Sequence, residues 1–281
     1  MTGIYFSGTG NTKHCIEQFM AVYRKLSDNL SVNGNTPAEE SAILPTESAI
    51  SSEHTILSIE DAARAAQALM NAHDIIILAY PVYYSNLPKI MRDFITTNRD
   101  HWKNKIVYIL CTMGLFSGDG AGVSARLLRQ YGATVIGGLH VQMPDCICDV
   151  KALKYSPAQN HRMIERANQK LEKAAQRLAE GNPAKEGLNI FYHLAGLFGQ
   201  RLWFYNKTLH YSDKLKINAD ACVKCGRCVT VCPMRNLTLS RDRITAAGQC
   251  TMCYRCVNQC PQKAITLIGK KVVASLYTNP R

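Results

Sequence analysis

The chain has no apolar run of about 18 residues free of charge, the length a membrane-crossing helix needs. The nearest stretch, Ile190 to Phe204, is interrupted by His193 and Arg201. A secretion core is also lacking at the N-terminus, where Gly3 to Phe6 is too short and runs straight into a glycine loop. The formal charge is +12, yet no basic stripe interleaved with aromatics marks a nucleic-acid surface. No dinucleotide fingerprint G-x-G-x-x-G follows the first strand, and no Gly-Lys-Ser/Thr completes a P-loop. With no signal segment, the 12 cysteines do not read as a disulfide framework. Metal ligation in a reducing cytoplasm is the expectation, and a cytoplasmic location with it.

What is present begins with alternation. Strand-like segments lie at Gly3–Phe6, Thr55–Ile59, Ile75–Ala79, Lys105–Thr112 and Thr134–Val141. Helical periodicity separates them at Asn11 to about Leu26, Asp61–Asn71, Leu87–Thr96 and, after a Gly114–Gly122 loop, up to about Tyr131. Ser27 to Glu53 reads as a long polar loop. A last helix is capped by Ser156, opens with Pro157 and stops at Gly181. Five strands alternating with helices predict an α/β doubly wound parallel sheet.

Eight of the 12 cysteines fall between Cys222 and Cys260, with no histidine among them. Cys222, Cys225, Cys228, Cys232 and Pro233 repeat as Cys250, Cys253, Cys256, Cys260 and Pro261, each run reading C-x2-C-x2-C-x3-C-P. C-x2-C alone is also a zinc spacing, but the third and fourth cysteines of each run fit an iron-sulfur arrangement. The segment from Lys214 to Val273 resembles the bacterial two-cluster ferredoxins. That resemblance implies a small α+β domain with two 4Fe-4S clusters and crossed ligation. One cluster would take Cys222, Cys225, Cys228 and Cys260, the other Cys250, Cys253, Cys256 and Cys232. Of the remaining cysteines, Cys15 and Cys111 read as small core residues, and Cys146-Ile-Cys148 as a loop coincidence rather than a redox pair.

Ser7-Gly8-Thr9-Gly10-Asn11-Thr12 links the first strand to the first helix. Backbone N–H groups, three hydroxyls and a helix N-terminus there converge on one anion. The loop resembles the phosphate loop of flavodoxins, which implies FMN. By the same resemblance two loops at the carboxyl ends of the third and fourth strands would flank the flavin ring. The first carries Pro81, Val82, Tyr83, Tyr84, Ser85 and Asn86, whose tyrosines can stack on the ring. The second carries Thr112, Met113, Gly114 and Gly118, whose glycines permit close backbone approach. One departure stands out: no glycine occurs between Gly34 and Gly114, so the peptide flip many flavodoxins use lacks its glycine. Asn86 is the residue expected to tolerate a left-handed conformation there.

The expected organisation is therefore a flavodoxin-like domain over 1–182, an aromatic-rich connector over 183–212 and a ferredoxin domain over 213–281. The connector reads as inter-domain packing, or alternatively as a partner-binding or membrane-surface helix. The whole resembles the fused flavodoxin–ferredoxin proteins of anaerobic bacteria. That implies electron transfer between two clusters and FMN, as a redox carrier or the electron-supplying component of a reductase. The alternative is a flavin-dependent reductase of a quinone or other small acceptor. Two clusters and an FMN phosphate would lower the charge from +12 to roughly +4 to +6. The basic ferredoxin segment leads us to expect an acidic redox partner.

Overall fold

The computed structural model of the chain describes residues 1–33, 55–202, 214–241 and 243–273. Five strands, β1 (Thr2–Tyr5), β2 (Thr55–Ser58), β3 (Ile75–Pro81), β4 (Ile106–Met113) and β5 (Thr134–Gln142), form one sheet in the order β2-β1-β3-β4-β5. All four pairings are parallel. This is the flavodoxin-like strand order, with its switch point between β1 and β3. β3 is buried from Ile75 to Tyr80, as its unbroken apolar sequence requires in a sheet covered on both faces.

Helices α1 (Asn11–Asn33) and α5 (Pro157–Ala179) share one face, where Ile16, Phe19, Leu171 and Leu178 pack on Ile77, Tyr108 and Leu110. Helices α2 (Ala62–Asn71), α3 (Lys89–Thr97) and α4 (Gly120–Gln130) cover the other with Leu69, Met91, Phe94 and Leu128. α5 starts with a complete capping box between Ser156 and Gln159, as its sequence predicts.

Two local expectations need correction. α1 does not end near Leu26 but continues to Asn33, because neither Gly nor Pro occurs along it and the Ser27 hydroxyl donates to the Tyr23 carbonyl at 3.0 Å. The rest of the expected loop, 34–53, lies outside the described residues. α4 begins at Gly120, so Gly120 and Gly122 belong to its first turn rather than to a loop.

Past residue 182 the chain runs along β5. The Gly138 N–H donates to the Ala184 carbonyl and the Glu186 N–H to the Gly138 carbonyl, both at 2.8 Å, which covers the sheet edge. A Cβ at Gly138 would lie 2.5 Å from the Glu186 carbonyl oxygen, so this close pass needs glycine. Helix α6 (Ile190–Gly196) follows and continues as a wider turn to Arg201. It packs on the flavodoxin-like half, with His193 Nδ1 3.0 Å from the buried Asp119 carboxylate and the Tyr192 ring edge-on to His140. The connector aromatics Trp203, Phe204, Tyr205 and Tyr211 lie outside the described residues.

The C-terminal part is a small α+β unit. Strand β6 (Lys216–Ile217) pairs antiparallel with β9 (Ile265–Thr266), and β7 (Leu237–Leu239) with β8 (Ile244–Ala246). Short helices carry the third cysteine of each run, Cys228 in Arg227–Thr230 and Cys256 in Arg255–Gln259. The core of this unit includes Leu237, Ile244, Val257 and Leu267, together with Cys148 from the loop after β5.

Candidate flavin cavity and cysteine sites

A cavity of about 310 Å³ opens at the carboxyl ends of β1, β3 and β4. Of the residues expected around a flavin, Ser7, Gly8, Thr9, Asn11, Thr12, Pro81, Val82, Tyr83, Tyr84, Thr112, Met113 and Gly114 line it. Gly10, Ser85, Asn86 and Gly118 are not among its lining residues. Gly10 turns the first loop with φ at 110°, and its N–H donates to Ser7 Oγ at 3.1 Å. The buried Thr12 hydroxyl meets the Thr112 hydroxyl at 2.8 Å, tying the phosphate-type loop to the end of β4. Asn11 Nδ2 donates to the Pro144 carbonyl at 2.8 Å and anchors the start of α1. The loop is thus held by its own side chains at the N-terminus of a 23-residue helix, an arrangement suited to a monophosphate.

The left-handed backbone in the β3 loop falls at Tyr84 (φ 52°) and Ser85 (φ 56°), not at Asn86. Tyr83 and Asn86 exchange two backbone hydrogen bonds across this pair at 3.1 and 3.0 Å. That makes a tight turn whose two central residues both need positive φ, a conformation costing a non-glycine residue about 1 kcal/mol or more. Asn86 instead closes the turn with its side chain, accepting from the Leu87 N–H at 2.8 Å and from Arg92 at 3.0 Å. The buried Ser85 is backed by Gly118, where a Cβ would come within 2.5 Å of the Ser85 hydroxyl.

Sequence reasoning missed a third wall. Met143, Pro144, Asp145, Cys146 and Ile147, in the loop after β5, also line the cavity. The signal was available, because this loop leaves the same edge of the sheet as the other two. Asp145 sits against Gly114, where a Cβ would lie 2.6 Å from its carboxylate, and burial raises its carboxyl above the usual range. Cys146 faces the cavity with its thiol pushed up to about 12 by burial, whereas Cys148 turns into the C-terminal core. Cys15 and Cys111 are fully buried core residues, as expected.

The eight clustered cysteines gather around two further cavities in the crossed pattern. One is lined by Cys232, Cys250, Cys253 and Cys256, the other by Cys222, Cys225, Cys228 and Cys260. The backbone repeats with the sequence at an interval of 28 residues: positive φ occurs at Lys224, Gly226 and Arg235 and again at Met252, Tyr254 and Lys263. The fourth sulfur of each run accepts a backbone N–H at 3.3 Å, from Asn236 onto Cys232 and from Ala264 onto Cys260. Burial pushes the Cys253 thiol up to about 12, so a thiolate there needs a cationic partner. The Thr251 hydroxyl lines the first cavity and is buried with no partner among the described residues. Sulfur lone pairs inside that cavity would satisfy it. The donor set and the orphaned hydroxyl fit a four-iron cluster.

The two halves meet at the phosphate-type loop. A Cβ at Gly8 would fall 2.5 Å from the Cys253 carbonyl oxygen, so the second cysteine loop lies directly on it. Met252, Cys253, Tyr254 and Ile268 complete the lining of the flavin-type cavity. Arg255 donates to the carbonyls of Ser7 and Gly8 at 2.7 and 2.9 Å and forks onto the Glu60 carboxylate at 2.6 Å through both terminal nitrogens. The buried Asp149 carboxylate accepts from the Tyr254 hydroxyl at 2.9 Å and from the Leu267 and Ile268 N–H groups at 2.7 and 3.1 Å.

Two protein families match separate stretches of the chain. Residues 204–265 match the 4Fe-4S dicluster domain family and include all eight clustered cysteines. Residues 31–145 match the NADPH-dependent FMN reductase family, a span that leaves out β1 and the Ser7–Thr12 loop. No curated protein matches the chain significantly. Among solved structures, the two-electron reduced flavodoxin of Megasphaera elsdenii aligns with 63% of this chain and 99% of its own, at 22% identity and a TM-score of 0.39. The Trp repressor binding protein of Bacillus subtilis covers 63% of this chain and 97% of its own, at 15% identity and a TM-score of 0.38. Rubredoxin oxygen:oxidoreductase of Desulfovibrio gigas covers 62% of this chain and 36% of its own, at 13% identity and a TM-score of 0.32. The chain joins a domain of flavodoxin-like fold to a 4Fe-4S ferredoxin-type domain.

Proposed function

We propose that the chain carries electrons between two 4Fe-4S clusters and FMN, with the Cys232/Cys250/Cys253/Cys256 cluster next to the flavin. The carrying observation is the shared wall: the same cavity is bounded by the Ser7–Thr12 loop and by Met252, Cys253 and Tyr254. Clusters supply one-electron steps and the flavin collects two. The protein's part is to fix the distance and exclude water. Arg255 and Asp149 do so by holding the second cysteine loop against the phosphate-type loop. The other run is the outward-facing one: Cys225 is exposed and Val223 is 60% exposed. Electrons therefore exchange with a partner protein at the first run. The exposed Arg241 and Arg243 in the same unit favour an acidic partner.

Anaerobic reconstitution tests this. About eight iron atoms and one FMN per chain are expected. Cys232→Ser should remove the spectroscopic signal of the cluster held by Cys250, Cys253 and Cys256, leaving that of its sequence neighbours. Stoichiometric zinc without iron would sink the proposal.

A second reading, reduction of a small acceptor such as a quinone at the flavin, is favoured by the family match over residues 31–145. Rapid flavin reduction by NADPH alone would support it. Reduction only through another iron-sulfur protein would support the carrier.

A further inference from the structure

We propose that the segment Ile190–Leu202 lies flat on an anionic lipid surface, with the lip of the flavin-type cavity beside it. The inference goes beyond the electron-transfer reading and does not rest on it. An amphipathic helix on a globular protein ordinarily buries its apolar stripe and shows its polar one. Here the order is reversed. The polar side is turned inward, where His193 meets the buried Asp119 carboxylate at 3.0 Å and the backbone at Gly196 presses on that same carboxylate. The outward stripe is apolar at helical spacing: Ile190 is 61% exposed, Phe191 77%, Leu194 43%, Phe198 61% and Leu202 61%.

The stripe is continuous with the cavity. Phe116 approaches Gly199, where a Cβ would lie 3.7 Å from its ring, and both Phe116 and Leu115 line the flavin-type cavity. Leu115 is 60% exposed and Phe116 45%. Seven of the twelve large apolar side chains exposed among the described residues thus sit in this one patch. A patch so concentrated marks an interaction site rather than ordinary surface.

Charge and shape select the occupant. From Gly187 to Leu202 the sequence holds no Asp or Glu, and Arg201 is present. The whole chain is +12, and remains at roughly +4 to +6 after allowance for two clusters and FMN. Protein interfaces surround an apolar centre with a polar, hydrogen-bonding rim. This patch is a helical ridge whose His193 is bonded inward to Asp119, the form that enters the headgroup boundary in the interface plane. No helix among the described residues is long and apolar enough to cross a membrane, so the attachment is to one surface.

The test is flotation of the cofactor-loaded full chain with vesicles of phosphatidylcholine, alone or with phosphatidylglycerol. The protein should float with the anionic vesicles at least tenfold more than with the neutral ones, and less at high salt. Phe191→Ser combined with Phe198→Ser should abolish flotation while the flavin and iron-sulfur absorption stays unchanged. Leu194→Gln alone should weaken it, which keeps the test decisive if the double variant fails to fold. Light scattering of the wild type without lipid should give a monomer. Absent flotation would overturn the proposal, as would flotation indifferent to lipid charge and to the substitutions. So would a dimer that the double variant splits, because the ridge would then be covered by a second copy.

Discussion

The two cysteine runs have the same spacing and the same left-handed backbone positions, yet opposite surroundings. In the first run Lys224 and Cys225 are exposed, and Arg227 makes only a 3.4 Å contact to Gln259. In the second, the equivalent Met252 and Cys253 are buried, and Arg255 ties Ser7, Gly8 and Glu60 together. Gly226 turns the first run with no side chain, whereas Tyr254 adopts the same positive φ and uses its hydroxyl on Asp149. A duplicated motif has thus been specialised by three or four side chains. The copy carrying buried and bonding residues faces the flavin domain, and the copy carrying lysine and glycine faces water.

That contrast can be broken. Arg255→Ala should destabilise the holoprotein by roughly 2 kcal/mol, mostly through the part-buried bonds to the Ser7 and Gly8 carbonyls, since the Glu60 pair is exposed. Arg227→Ala should stay within about 0.5 kcal/mol. Equal losses in urea unfolding would mean that the two runs do not differ as described. Of similar size, Asp149→Asn should cost about 2 kcal/mol, since an amide has one acceptor oxygen where the carboxylate uses two, leaving either the Tyr254 hydroxyl or the Leu267 and Ile268 N–H groups without theirs. Its signature is early loss of flavin and of the flavin-side cluster on heating, with the outer cluster retained; simultaneous loss of both would argue for one indivisible unit.

Thr9→Ala and Thr12→Ala address the loop on which the second run rests. Each should weaken FMN by about 1.5 kcal/mol, near tenfold, through a lost hydrogen bond to charged oxygen. Riboflavin should bind far less tightly than FMN and be indifferent to both changes. Equal affinity for the two flavins would remove this loop as the anchor. The smallest effect belongs to the outer unit. Arg241→Glu with Arg243→Glu should slow electron transfer with an acidic partner severalfold at low salt and hardly at all at high salt. Stopped-flow rates independent of ionic strength, with encounter confirmed as limiting, would refute the steering role.

Much of the fold was legible because it rests on periodicity. The unbroken Ile75–Ala79 run can only be a strand buried on both faces, and the Ser156, Pro157 and Gly181 signals mark both ends of α5. Which cysteines line each of the two small cavities follows the sequence spacing, because three of each four are local in sequence and one crosses from the other run. The β3 turn was misplaced because residue preference favoured Asn86, while the strand register and the Asn86 side-chain bonds to Leu87 and Arg92 put the positive φ at Tyr84 and Ser85.

The parallel sheet, the hydroxyl-rich loop and the two cysteine runs can be read from the chain alone, since each follows from spacing along a few tens of residues. Long-range packing alone sets Cys253 on Gly8, Asp149 against Tyr254 and Leu267, and the loop after β5 between both halves. Those contacts join residues more than a hundred positions apart. No local preference encodes them; they depend on which surfaces are left over once each half has buried its own core.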